Sequence, residues 1–76
     1  LIEAYILLTT NIGRVKDVYN KLKKADNIKS ISIVTGPFDI IALVEAEDLS
    51  TLSNTVVEEI GDIDGVLDTN TGIIVE

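Results

Sequence analysis

Ala4 to Thr10 (AYILLTT) is a short run of aliphatic, aromatic and β-branched residues, and it predicts a strand. Asn11-Ile12-Gly13 breaks the run, with Asn11 placed to cap the next element. From Arg14 to about Ala25 the apolar residues Val15, Val18, Tyr19 and Leu22 recur at i, i+3, i+4 and i+7. That spacing describes one face of a helix, with lysines on the other face and Asp26-Asn27 at its end. Lys29 to Thr35 then alternates, with Ile31 and Ile33 on one side and Ser30, Ser32 and Val34 on the other, as a second strand. After the turn Thr35-Gly36-Pro37-Phe38-Asp39, Ile40 to Ala46 (IIALVEA) predicts a third. Glu47-Asp48 supplies an acidic cap for a second helix with the stripe Leu49, Leu52, Val56 and Ile60. Gly61-Asp62 and Asp64-Gly65 mark turns, and Val66 to Val75 predicts a fourth strand.

The order β-α-β-β-α-β, with crossover helices of about a dozen residues, fits two right-handed split βαβ units. The expected fold class is α+β, a ferredoxin-like sandwich of a four-stranded antiparallel sheet with two helices on one face. Residues 1–76 are read as one domain.

Two helices leave the far face of such a sheet bare, where polar side chains are expected. Here both sides of the strands are apolar. Tyr5 and Leu7 oppose Ile6 and Leu8, Ile41 and Leu43 oppose Ile40, Ala42 and Val44, and Ile73 and Val75 are expected to oppose Val66 and Ile74. Five or six such side chains left in water would forgo roughly 8 to 15 kcal/mol of burial, comparable to the stability of a small domain. A second copy packed sheet to sheet would cover them, so the chain is expected to dimerise through its sheet.

Composition narrows the chemistry. The chain has no cysteine and no histidine, which removes disulfides, thiolate metal sites and every Ser-His or Cys-His nucleophile pair. A non-enzymatic role with no cofactor is expected. The net charge is −7, which opposes binding to nucleic-acid phosphates, so the chain is not expected to bind DNA directly. Lys16, Lys21, Lys23 and Lys24 share one helix, started by Arg14, and are read as a solvated face. The acids Glu58, Glu59, Asp62 and Asp64 follow no calcium-loop pattern and are read as surface. No membrane span or signal peptide is visible, and a cytoplasmic location is the expectation.

The turn TGPFD, with EAYILL near the start and IDGVLDTNTGIIV at the close, resembles the effector domain of the Lrp/AsnC regulators, also called the RAM domain (regulation of amino-acid metabolism). The resemblance covers about Ile2 to Val75 in the same element order. It implies a βαββαβ domain that dimerises through its sheets, assembles further, often as four dimers, and binds amino acids or related metabolites between dimers. Full-length members carry a DNA-reading helix-turn-helix. The chain is read as a stand-alone member or as the effector half of a longer regulator, the early first strand and the acidic charge favouring the former, and full-length regulators are among the expected partners.

The resemblance places ligand contacts on Thr35, Gly36, Pro37, Phe38, Asp39, Thr69 and Thr71. The chemistry suits a free amino acid. Gly36 exposes backbone N–H groups to a carboxylate, Pro37 pre-orders the loop, Asp39 pairs with an ammonium, and the threonines offer hydroxyls. Each residue also has a plain reading. Gly36-Pro37 punctuates a hairpin, Asp39 bonds backbone, Phe38 anchors an interface, and the threonines are ordinary strand formers. Three other functions compete: a pure assembly module that mixes with full-length regulators, an ACT-like amino-acid-binding domain, and a small monooxygenase of the dimeric barrel type. The last is disfavoured because the chain lacks His and Trp.

Overall fold

Strict alternation decides where the core sits. In the computed structural model, which describes all 76 residues, β1 (Ile2–Thr10) buries Ala4, Ile6 and Leu8, and β3 (Ile40–Ala46) buries Ile40, Ala42, Val44 and Ala46. The two strands pair antiparallel with Ile6 opposite Ala42 and Leu8 opposite Ile40, so these side chains form one layer. Val18 and Leu22 of α1 (Val15–Leu22) close the core from above. Leu52 of α2 (Leu49–Asn54) and Ile60 of its continuation join them. With β2 (Ile28–Ile33) and β4 (Val66–Ile73) on the edges, the sheet order is β2-β3-β1-β4. All three pairings are antiparallel, giving the ferredoxin-like βαββαβ arrangement expected from the sequence.

Several element ends differ from the expectation. Helix α1 stops at Leu22, the last residue with an apolar anchor. Beyond it Lys24 and Ala25 donate to carbonyls only three residues back, at 3.1 Å each, so the chain tightens into a turn. Asn11 is not its side-chain cap; Arg14 holds that position, and Asn11 accepts the Arg14 N–H through its backbone carbonyl at 3.0 Å. Asp48 does cap α2, its Oδ1 accepting from the Thr51 N–H at 2.7 Å.

Strand β2 ends at Ile33, leaving Thr35 in the turn, and its register with β3 shifts between Ile28 and Ser30. A second shift lies in β4, where Thr9 faces Asp68 but Thr10 faces Val66, so Leu67 is the extra residue of a bulge. The bulge returns Val66 to the helix-covered side with Thr69, Thr71 and Ile73, correcting the expectation that Ile73 opposes Val66.

Helix α2 continues as a π-helical segment, Thr55–Ile60, in which the Gly61 N–H donates five residues back to Val56. The wider turn rotates less per residue, which keeps Leu52, Val56 and Ile60 over the core; Leu49 instead stays 53% exposed. Thr55, the one buried polar residue, accepts from Asn27 Nδ2 at 3.3 Å. Asn27 also gives its carbonyl to the Glu45 N–H at 2.8 Å and sits at φ 69, ending the α1 connection where β2 begins.

Candidate functional site

The turn between β2 and β3 is built from both of its ends. The Val34 N–H donates to the Asp39 carbonyl at 2.9 Å, and the Asp39 N–H donates to the Leu8 carbonyl at 2.9 Å. Gly36 takes φ 121, a backbone shape that side chains with a Cβ resist, and the space around its missing Cβ is open. Thr35, Gly36 and Pro37 are exposed, while Phe38 and Asp39 are half-buried.

The Asp39 carboxylate is held from across the sheet. Its Oδ2 accepts from the Thr10 N–H at 2.8 Å and from Thr10 Oγ1 at 3.3 Å, which ties the end of β1 to the start of β3. Its Oδ1 accepts no hydrogen bond. Sequence reasoning missed Thr10 because nothing local marks a partner 29 positions away.

Thr69 and Thr71 share the helix-covered side of β4, opposite Leu8 and Ile6 of β1. Thr69 is half-buried and its N–H is taken by Asp68 Oδ1 at 2.9 Å. Thr71 is exposed and lines an apolar cleft between α2 and β4, with Leu49, Leu52, Val56, Val57 and Ile73. Leu8 pairs with Ile40 on one side and Thr69 on the other. Thr69 therefore lies two strand spacings, about 10 Å, from the start of β3. Within one chain the turn and the threonines do not line a common pocket.

The bare sheet face has an apolar centre. Tyr5, Leu7, Ile41, Gly72 and Ile74 line a shallow depression of about 500 Å³. At its margin Lys29 Nζ bridges Glu3 Oε2 at 3.0 Å and Glu45 Oε2 at 3.4 Å, and these carboxylates hold the Lys29 ammonium above its ordinary pKa. Tyr5 is 47% exposed, but Leu7, Ile41, Leu43 and Ile74 shield one another to half-burial. The burial still to be gained is accordingly smaller than that expected from sequence. No helix is long and apolar enough to cross a membrane.

Comparison with known proteins places this geometry. Among curated relatives, an uncharacterized HTH-type transcriptional regulator of Pyrococcus horikoshii is 34% identical over 73 residues, spanning 96% of this chain and 46% of its own length. The chain thus spans about half the length of the curated relatives it matches. The crystal structure of FFRP-DM1 superposes with a TM-score of 0.94 at 29% identity, covering 99% of this chain and 100% of that one. A transcriptional regulator of Neisseria meningitidis, solved as a complex with L-Met, superposes at 0.89 with 17% identity, covering 99% of this chain and 50% of that one. Residues 3–76 match the family model described as the Lrp/AsnC ligand binding domain, and the chain belongs to that family.

Proposed function

We propose that this chain is a non-enzymatic effector domain that binds a free amino acid or a related metabolite and couples binding to self-association. Two copies pack their bare sheet faces together through Tyr5, Leu7, Ile41 and Ile74. The ligand sits where the turn Thr35–Asp39 of one copy meets the threonines of another. The observation that carries the reading is the state of Asp39. Its carboxylate is fixed by Thr10 through one oxygen, while the other accepts no hydrogen bond, and in the same turn Gly36 has open space where a Cβ would lie. A fixed carboxylate with a free lone pair recognises an ammonium with little loss of side-chain entropy. The Neisseria relative, bound to L-Met, supports the ligand class.

With about ten heavy atoms in the ligand and a few charge-assisted bonds, affinity is expected between about micromolar and about millimolar. Asp39→Asn is the informative variant, because its amide oxygen keeps an acceptor for the Thr10 N–H while the charge is lost. Calorimetry against the common amino acids should give binding for the wild type, none for Asp39→Asn, and the same solution mass for both in the absence of ligand. A wild type that binds none of them, with assembly unchanged by any, would leave the pure assembly module as the better reading. That alternative draws on the scattering of the seven predicted contacts within one chain.

A further inference from the structure

We propose that the second helix is a two-register element, balanced between the π register it adopts and an all-α register, and that its register opens or closes the cleft beside Thr71. The first observation is a mismatch between spacing and structure. Leu49, Leu52, Val56 and Ile60 fall at i, i+3, i+7 and i+11. At about 3.6 residues per turn they lie within an arc of about 80°, the stripe of an ordinary α-helix. The chain nevertheless takes π geometry over Thr55–Ile60. Leu52, Val56 and Ile60 face the core, while Leu49, which belongs to the α stripe, is left 53% exposed. Thr55 lies inside in its place, 4% exposed. The π register thus buries a hydroxyl and leaves a leucine out.

Contacts at both ends hold that register. Thr55 Oγ1 accepts from Asn27 Nδ2 at 3.3 Å, and the Asn27 carbonyl accepts from the Glu45 N–H at 2.8 Å. Thr55 is thereby tied to the entry of β2 and to β3, and turning it outward leaves Asn27 Nδ2 without that partner. At the far end the Gly61 N–H donates to the Val56 carbonyl at 2.8 Å. Gly61 has φ −64, a right-handed shape open to any residue, so its backbone conformation does not call for glycine. Room does. A Cβ at Gly61 would lie 2.9 Å from the Val57 carbonyl oxygen and 3.2 Å from that of Val56. Burial of Leu49 favours the α register, while the Thr55–Asn27 bond and the bare Cα of Gly61 favour the π register.

The register sets the shape of the cleft. Leu49, Ser53, Val56 and Val57 form its helix wall and face Thr71 and Ile73 of β4 across about 230 Å³. Rotation into the α register carries Leu49 toward the core and down into that space. A group seated in the cleft and an inward Leu49 exclude each other, so an occupant favours the π register. Resting on the reading under Proposed function, the occupant is the apolar part of an amino acid held near Thr71. Its arrival is then transmitted through Thr55 to Asn27 and Glu45, on the far side of the core from β4.

The test is solution NMR on the whole chain, first without ligand. Wild type should show microsecond-to-millisecond exchange broadening over Thr55–Gly61 and at Leu49. Gly61→Ala drives the helix toward α, so the Asn27 side-chain amide should move to the resonance position that Thr55→Val gives it. Leu49→Ser removes the burial that favours α and should cut the broadening about tenfold or more with Asn27 unmoved. This second variant keeps the test decisive if Gly61→Ala does not fold. A wild type without exchange, a folded Gly61→Ala with wild-type Asn27 resonances, or undiminished broadening in Leu49→Ser overturns the proposal. An amino acid that binds by calorimetry should suppress the wild-type broadening, and binding that leaves it unchanged overturns the link to the cleft. If none binds, the reading under Proposed function fails while the ligand-free comparison still decides the two registers.

Discussion

Gly36 and Gly65 both occupy the left-handed half of backbone space, at φ 121 and 103, yet they are required for different reasons. A Cβ at Gly36 meets nothing within 4 Å. A Cβ at Gly65 would lie 3.0 Å from Val18 Cγ2 and 3.2 Å from Arg14 Cβ, because the entry to β4 is pressed against α1. Gly65→Ala is therefore expected to cost more than about 1 kcal/mol, and visibly more than Gly36→Ala, whose cost is backbone strain alone. Denaturant melts of the two variants check this, and equal losses would mean that the packing at Gly65 relaxes freely. The sequence marks both positions as turn glycines, but the crowding at Gly65 is made by residues some fifty positions earlier. Asp39 is legible in the same partial way: Gly-Pro before it flags an unusual turn, whereas Thr10, which fixes its carboxylate, carries no local signal.

At the level of elements, β3 was readable to the residue, because a central strand paired on both sides keeps its alternation from Ile40 to Ala46. Strand β4 was not. One extra residue at Leu67 shifts the phase of everything before it, and period-two reading has no way to see an insertion. The helix caps carry a prediction of their own. The Asp48 carboxylate is held below its ordinary pKa by the Thr51 N–H, and the Asp64 carboxylate is held low by the Arg14 guanidinium at 2.9 Å. A lowered folded-state pKa adds stability above the unfolded carboxylate value and loses it as pH falls through the folded value. That window opens below about pH 4. Asp48→Asn keeps a capping oxygen without the titrating charge, so its melting temperature should fall less than that of the wild type between about pH 5 and about pH 2. Parallel curves would show that the cap charge is irrelevant to acid stability.

For the whole molecule, the sequence shows that two faces of the sheet are apolar but not how much surface stays exposed, since that depends on neighbours across strands. Tyr5 shows the gap: it stands opposite Gly72 on one side, which leaves its ring uncovered. Leu7→Glu places a charge at the centre of that face and is expected to shift solution mass toward the monomer without unfolding the chain, as read by light scattering. An unchanged mass would remove the sheet face from the proposed assembly. The seven residues named from the sequence do not meet within one chain, because register puts the turn on one flank of β1 and the threonines on the other.

The tie between Asp39 and Thr10 gives the molecule a spectroscopic readout of its own turn. The Thr10 amide proton is bonded to a side chain in a strand end that otherwise has no hydrogen-bonded neighbour for it. Its chemical shift and its rate of exchange with deuterium follow the carboxylate. Recruitment of Asp39 by a cation appears at one backbone resonance 29 positions upstream.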